Sequence, residues 1–322
     1  MKRLLLLLVF VSSWCHALNG PTISTANLPR IEAGLKFAQA NNIEWVRMNI
    51  GMAEATKGST LDTYAAQRVG ELCKQYGRKV VLVDYTQAPN TKYWRLQSGL
   101  DDAELWNKWK ADEQLGLYQD CHNRNGLYPW LEPIAIQTSE RLVAAFATGY
   151  GKQPDIRQLE NEIGLTIDSR IVSGDVYGSV PQSIRAYLSR RVSSITDGVP
   201  VPVPGLASPA HETQTLEGLL NQIAAEDKSY WNRFSYQSLN WYMTSWQSTD
   251  TPYKWAKRAI AEIEAFATNV WWPGRPLLIS EIAAIGCPVD KRLACYQSFL
   301  RYKPASWIAC WWSYDDEGWA VQ

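Results

Sequence analysis

The chain has 322 residues, of which 46% are hydrophobic, and its 32 basic residues balance its 32 acidic ones to a formal net charge of zero. This length and composition allow a large hydrophobic core and a single large α/β domain. The neutral balance and the lack of any run of basic residues argue against nucleic acid as a partner. Tryptophan is enriched, at 16 residues, and more than half of these side chains are expected to pack in the core.

The first 17 residues are typical of a secretory signal peptide. Lys2 and Arg3 precede the apolar run Leu4–Val11, and the segment ends at the small residue Ala17. The apolar run is shorter than the ~20 residues that a membrane-spanning helix needs. We therefore expect cleavage after Ala17 and a secreted or periplasmic mature protein, residues 18–322, without membrane attachment.

Five cysteines remain after this cleavage, and an oxidising compartment favours disulfide formation. We prefer a bridge between Cys287 and Cys295, which would close a short loop. A bridge between Cys73 and Cys121 would join two successive helices. Cys310 lies in an apolar run and is expected to be a buried thiol. Spacing alone leaves the connectivity open.

Apolar runs alternate with amphipathic segments along the chain, which predicts alternating strands and helices. The predicted strands are Pro21–Thr25, Ile43–Ile50, Lys79–Tyr85, Ile156–Glu162, Val199–Leu206, Phe234–Tyr242, Pro276–Glu281 and Trp307–Trp312. The predicted helices are Pro29–Asn41, Leu61–Tyr76, Asp102–Asn123, Ser139–Thr148, Pro181–Ile195, Thr215–Ala225, Tyr253–Ala267 and Lys291–Arg301.

The predicted fold class is α/β, a (β/α)8 TIM barrel. Most of the strands are continuously apolar, as expected when both faces of a sheet are covered. A doubly wound open sheet is disfavoured, because no glycine-rich phosphate turn follows an early strand. The segment after Trp312 is too short for a complete eighth helix, so we expect the barrel to lack one or to close differently.

Residues 86–137 are too long for a simple connection and are predicted to be an inserted loop and helix. The insertion contains Trp94, Trp106, Trp109 and Trp130. Loops that follow barrel strands lie at the catalytic face, so this segment is expected to wall a cleft.

Two glutamates end apolar strands that are each followed shortly by a glycine. Glu162 follows Asn161, and Glu281 lies in the sequence PLLISEIAAIG. Burying a carboxylate raises its pKa, and a catalytic acid needs such a raised pKa to hold its proton. Two carboxylates facing each other across a cleft are the minimum for glycoside hydrolysis. Glu160 competes with Glu162 because both fall on the same side of a strand, and the preceding asparagine favours Glu162. The alternative is two unrelated surface glutamates.

These motifs resemble those of clan A glycoside hydrolases, most closely the cellulase-type family 5. The resemblance implies that Glu162 is the acid/base, that Asn161 bonds the sugar 2-hydroxyl and that Glu281 is the nucleophile. It also implies that Arg47, on the second strand, holds the nucleophile and that Tyr242 contacts it. A purely structural ion pair is the alternative role for Arg47.

Further residues follow from the same resemblance. Trp312 is similar to the strand-eight tryptophan that forms the floor beneath the sugar. Asn240 occupies the place of a histidine found in many family members, and Asp84 is not followed by the usual histidine, so the exact family and substrate stay open. His211 is either a cleft residue or an ordinary loop histidine. Independently of the resemblance, one or both of Trp94 and Trp130 are predicted to be sugar platforms, because they lie in irregular parts of the insertion where an aromatic side chain has less core to fill.

The predicted function is that of a secreted retaining endo-β-glycosidase that hydrolyses a β-linked polysaccharide such as β-glucan, mannan or xylan. The alternatives are a non-catalytic carbohydrate-binding barrel and a clan A hydrolase that acts on a bacterial exopolysaccharide. The chain lacks the G-x-S-x-G and H-E-x-x-H motifs of serine hydrolases and zinc proteases. No cofactor or metal is expected. The acidic cluster Asp315–Glu317 is predicted to be a solvated loop, and the alternative is a site for a cation or for sugar hydroxyls. A saccharide is the expected partner, and a monomer the expected assembly.

Overall fold

The computed structural model describes residues 16–19, 22–51, 56–57, 60–85, 99, 132–159, 191, 195, 198–202, 234–270 and 276–311. The strands are β1 (His16–Asn19), β2 (Trp45–Gly51), β3 (Thr56–Lys57), β4 (Thr60–Leu61), β5 (Lys79–Tyr85), β6 (Ile156–Leu159), β7 (Gln237–Trp241), β8 (Leu277–Ile282) and β9 (Ile308–Trp311). The α-helices are α1 (Leu28–Ala40), α2 (Tyr64–Gln75), α3 (Glu132–Tyr150), α4 (Pro252–Val270) and α5 (Val289–Tyr302).

Seven of the strands form one parallel sheet in the order β6-β5-β2-β1-β9-β8-β7, and β3 and β4 form a separate antiparallel pair. Strand β1 lies between β2 and β9, so the first and last described strands are neighbours. An inner apolar cluster contains side chains from both halves of the sheet. The sheet therefore curves around this cluster. Its members are Trp45, Val81, Ile156, Leu278, Ile308 and Cys310. The predicted alternation of parallel strands with helices is confirmed in the described ranges.

The backbone of residues 199–202 contacts both edges of this sheet. The amide of Arg157 in β6 donates to the carbonyl of Pro200 at 3.0 Å, and the amide of Ser235 donates to the carbonyl of Val201 at 2.7 Å. Pro202 also forms a parallel bridge with Tyr236, directly before β7. The described part of the predicted strand Val199–Leu206 thus lies between the two edge strands of the sheet, β6 and β7.

The prediction of a first strand at Pro21–Thr25 is wrong, because the described residues of that segment start a helical turn. The Ser24 Oγ accepts a hydrogen bond from the amide of Asn27, which caps a 3-10 turn over Thr25–Asn27 that leads into α1. The first strand within the described residues is β1, which begins in the last two residues of the predicted signal peptide. Cleavage after Ala17 would cut through this strand.

The helices cover the outer face of the sheet and bury the larger part of the core. Helices α2 and α3 approach closely where two glycines face the neighbouring backbone. A Cβ atom at Gly70 would lie 2.2 Å from the carbonyl oxygen of Phe146, and one at Gly149 would lie 1.9 Å from that of Gln67. Helix α3 starts at Glu132, inside the segment predicted as an insertion. Among the described helices, none is long and apolar enough to cross a membrane.

Candidate active site

Strands β2 and β8 bring Arg47 and Glu281 together on the inner side of the sheet. The Arg47 Nη1 donates to the Glu281 Oε1 at 3.0 Å, with 1% of the arginine side chain and 10% of the glutamate side chain exposed. A guanidinium this close favours the ionised form of a carboxylate. The contact expected from the sequence is present.

Tyr242 holds the other oxygen of the same carboxylate. It follows β7 directly, is partly buried, and its hydroxyl donates to the Glu281 Oε2. The two carboxylate oxygens are therefore bound by side chains from two different strands. Such a carboxylate is fixed in orientation and stabilised as an anion, which is what a nucleophile requires.

A fourth residue, Gln158 on β6, belongs to this group and was not predicted as a site residue. Its Oε1 accepts a hydrogen bond from the Arg47 Nε at 3.1 Å, and its side chain is fully buried. Strand periodicity links position 158 to positions 160 and 162, the two glutamates weighed in the sequence. That period is the one sequence signal that pointed to Gln158.

Asn240 lies on β7 and is shielded from solvent. It is in register with Glu281, and it is completely buried. Its Oδ1 accepts a hydrogen bond from the Ser280 Oγ at 2.5 Å, and the Ser238 Oγ donates to the Ser280 Oγ at 3.2 Å. These contacts support the wall beside Glu281, and a sugar contact by Asn240 stays a prediction.

Cys310 is a buried free thiol, as the sequence predicts, and the charges of Arg47 and Glu281 act on it. Burial raises the pKa of this thiol to about 12; Arg47 acts in the opposite direction and Glu281 in the same one. A thiol with so high a pKa is protonated at neutral pH and is a poor nucleophile. Glu281, rather than Cys310, is thus the reactive candidate in this group.

Cys287 and Cys295 lie close together but are two thiols, with their sulfur atoms 3.4 Å apart. The preferred disulfide is therefore not present in this structure. Cys73 is a buried free thiol on α2, and its proposed partner Cys121 lies outside the described residues.

A second charged cluster lies on the outer face of the sheet, against α3. Asp84 accepts hydrogen bonds from Arg157 at 2.9 Å and from Arg191 at 2.6 Å, and also from the Ser139 hydroxyl. Arg157 also donates to Glu140 at 2.6 Å. Burial alone would raise the pKa of Asp84, but Arg191 and Arg157 bring it well below its ordinary value. Asp84 therefore anchors α3 and β6 to β5.

Several predicted site residues lie outside the described residues. They are Trp94, Trp130, Asn161, Glu162, His211 and Trp312. Within the ranges that the structure describes, no group of three or more histidine, cysteine, aspartate or glutamate side chains is arranged to hold a metal ion.

A scan against protein-family models finds no match for this chain, and neither does a search of curated proteins. Solved structures do match. GH5_18 from Streptomyces cattleya, in complex with GlcNAc, has a TM-score of 0.58 at 15% identity, covering 92% of this chain and 70% of that one. A GH5_18 variant from Bifidobacterium longum subsp. longum, in complex with Manβ1-4GlcNAc, has a TM-score of 0.54 at 11% identity, covering 92% and 69%.

A further match is the beta-glycosidase BGL167, with a TM-score of 0.50 at 10% identity over 93% of this chain and 86% of that one. Identities this low carry information about the fold alone. The fold of this chain is therefore similar to that of family 5 glycoside hydrolases, the family that its strand-end motifs resemble.

Proposed function

We propose that this protein is a retaining β-glycosidase in which Glu281 is the nucleophile and Glu162 the acid/base. The observation that carries the proposal is the Glu281 carboxylate, bound by Arg47 at one oxygen and by Tyr242 at the other. Glu281 is the fifth of six residues in β8, near the carboxyl end where (β/α)8 enzymes place their catalytic groups. The likeness in fold to family 5 glycoside hydrolases agrees with this assignment.

The proposed barrel contains the segment 199–202 as a strand between β6 and β7. Its hydrogen bonds toward Arg157 and Ser235 support this closure, because they link the two edges of the parallel sheet. With that segment the sheet has eight parallel strands, the number of a (β/α)8 barrel.

The mechanism follows from the charges of the two carboxyl groups. The Glu281 anion attacks the anomeric carbon while the acid protonates the leaving oxygen, and a covalent glycosyl-enzyme forms. Water, activated by the same acid/base residue, then releases the sugar with retained configuration. Arg47 and Tyr242 keep Glu281 ionised and aimed, while Asn161 is proposed to bond the 2-hydroxyl and Trp312 to lie beneath the sugar.

The proposed substrate is a β-linked polysaccharide cleaved within the chain, outside the cytoplasm, by a monomeric enzyme. Aromatic side chains of the insertion, Trp94 and Trp130, are proposed platforms for neighbouring sugars. Because two structural neighbours are in complex with Manβ1-4GlcNAc or GlcNAc, a substrate panel includes that disaccharide beside β-glucan, mannan, xylan and bacterial exopolysaccharides.

The deciding experiment uses a 2-fluoro glycoside whose good leaving group traps the glycosyl-enzyme. We expect time-dependent inactivation and a mass increase confined to the peptide that contains Glu281, and Glu281→Gln should bind oligosaccharide without turnover. Label on another carboxylate would overturn the assignment. Saturable saccharide binding by the wild type without turnover or labelling would favour the non-catalytic binding barrel.

A further inference from the structure

Gln158 reaches the candidate nucleophile through Arg47. It lies on β6 between Arg157, whose side chain binds Asp84 and Glu140 on the outer face, and Leu159, which packs in the outer core. Alternation along the strand directs Gln158 to the opposite, inner side. There its Oε1 accepts from the Arg47 Nε at 3.1 Å, in a site where both side chains are almost completely buried.

The two acceptors together define the plane of the Arg47 guanidinium. Its Nε points at Gln158 and its Nη1 at the Glu281 Oε1, 3.0 Å away. A guanidinium is a rigid planar fork of five donors, so fixing two of them on different nitrogens leaves little freedom to rotate. Loss of the bond to Gln158 would remove one of the contacts that hold the Arg47 Nη1 in line with the carboxylate.

The chemical nature of Gln158 is as informative as its position. A carboxylate here would accept the same hydrogen bond, but it would also bring a second negative charge to one buried cation. Two carboxylates that share a site disfavour ionisation of each other. A neutral amide supplies the acceptor without this competition.

We propose that Gln158 is a positioning residue that orients the Arg47 guanidinium and, because it is neutral, leaves its positive charge directed at Glu281. The inference rests on the proposed function insofar as Glu281 must be an anion to attack the sugar. It adds a requirement on β6 that is separate from the acid/base residue. Gln158 itself need not touch the substrate.

Two substitutions separate orientation from charge. Gln158→Met keeps the length of the side chain and removes the acceptor, whereas Gln158→Glu keeps the acceptor and adds a charge. Gln237→Glu is the matched control, because Gln237 is a buried glutamine on β7, at the opposite edge of the same sheet. It reports what a buried carboxylate does to this protein elsewhere than at Arg47.

The first readout is the pH profile of kcat/KM, together with the rate of inactivation by the 2-fluoro glycoside. The acid limb of this profile is the fall in kcat/KM at low pH, where Glu281 becomes protonated. For Gln158→Glu we expect the acid limb to move to higher pH by about one unit or more, with a kcat/KM close to that of wild type at pH values above the limb. For Gln158→Met we expect kcat/KM and the inactivation rate to fall about tenfold to a hundredfold at every pH, chiefly through kcat. Gln237→Glu should leave the acid limb in place.

The second readout needs no turnover. The pH dependence of the unfolding free energy, compared between each protein and the same protein carrying Glu281→Gln, reports the protonation of Glu281. Gln158→Glu should move this transition to higher pH. The proposal is overturned if the transition and the acid limb both stay at the wild-type pH, or if folded Gln158→Met retains wild-type kcat/KM.

The two readouts distinguish this inference from the proposed function. A wild type that is labelled at Glu281, but whose Gln158 variants behave like wild type, refutes the positioning role alone. A wild type that never turns over a saccharide, but whose Glu281 transition moves in Gln158→Glu, refutes the glycosidase and supports the requirement for a neutral residue at position 158.

Discussion

Replacing Asp84 with asparagine should destabilise this protein strongly, although Asp84 lies outside the candidate site. The Asp84 side chain is 0% exposed, and those of its partners Arg157 and Arg191 are 2% and 0% exposed. Asparagine is nearly isosteric but uncharged, so the two guanidinium groups lose the buried anion they share. Removing one partner of a buried ion pair typically costs about 3–5 kcal/mol.

The measurement is urea unfolding at neutral pH, with Glu71→Gln as the control. Glu71 also accepts from an arginine, at 2.7 Å, but the side chains of Arg68 and Glu71 are 39% and 40% exposed. Ion pairs this exposed contribute little to stability, because water and salt screen them. If Asp84→Asn costs no more than Glu71→Gln, the buried cluster does not stabilise the fold as argued.

The pH dependence of this difference has a definite sign. Because the pKa of Asp84 is lowered in the folded protein, its ionisation stabilises the fold above the unfolded-state pKa of about 3.9. The difference between wild type and Asp84→Asn should therefore be constant from about pH 7 to pH 5 and should shrink as the pH falls below about 4. A difference that grows toward acid pH would refute the assignment.

Three further expectations concern residues beyond this cluster. Glu162→Ala should slow the hydrolysis of substrates with poor leaving groups far more than that of activated aryl glycosides. Added azide should restore the rate and yield a β-glycosyl azide. Equal loss on both substrate types without this rescue counts against the acid/base role. Alanine at Trp94 or Trp130 should raise KM for long oligosaccharides and spare an aryl monosaccharide, whereas lower melting temperatures with equal effects on both substrates indicate a structural role. Mild oxidation should join Cys287 to Cys295, seen as a peptide pair lighter by two hydrogens, and persistent free thiols in unfolded, oxidised protein would exclude that bridge.

The sequence predicted those parts of the site that lie at the ends of apolar strands. Arg47 and Glu281 lie in strands with a clear apolar run, Tyr242 directly follows one, and each matches a motif of a known family. Strand Lys79–Tyr85 has the predicted bounds, because a continuous apolar run of three valines and a leucine, preceded by a glycine turn, leaves little ambiguity. Local pattern and motif were sufficient there.

Side-chain partnerships across the sheet could not be predicted in this way. Gln158 is 111 residues from Arg47, and Arg157 is 73 residues from Asp84. Neither pair has a local signal, since each depends on which strands are neighbours and on the face that each residue occupies. The sequence drew attention to Asp84 only because the usual histidine does not follow it. The structure gives Asp84 a role, as the buried anion that binds Arg157 and Arg191.

The position of the first strand was predicted wrongly for a different reason. The same residues fit both the end of a signal peptide and a strand of the sheet. The sequence around Ala17 fits the end of a signal peptide, yet the backbone of β1 pairs with both β2 and β9. Loss of His16 and Ala17 would remove the pairs of Ala17 with Trp45 and Cys310 and that of His16 with Ala309. It would also place a new charged amino terminus at Leu18, in the middle of the parallel sheet.

A chain that starts at Leu18 should therefore be less stable than one that starts at His16. Each lost backbone hydrogen bond costs about 0.5–1.5 kcal/mol. Thermal unfolding of the two proteins, produced without a leader, measures the difference directly. Sequencing of the amino terminus of exported protein gives the complementary result: we expect it to begin at or before His16, because the strand is needed whole. Export that begins at Leu18, or equal melting temperatures for the two chains, would show that β1 is dispensable and that cleavage after Ala17 is compatible with the fold.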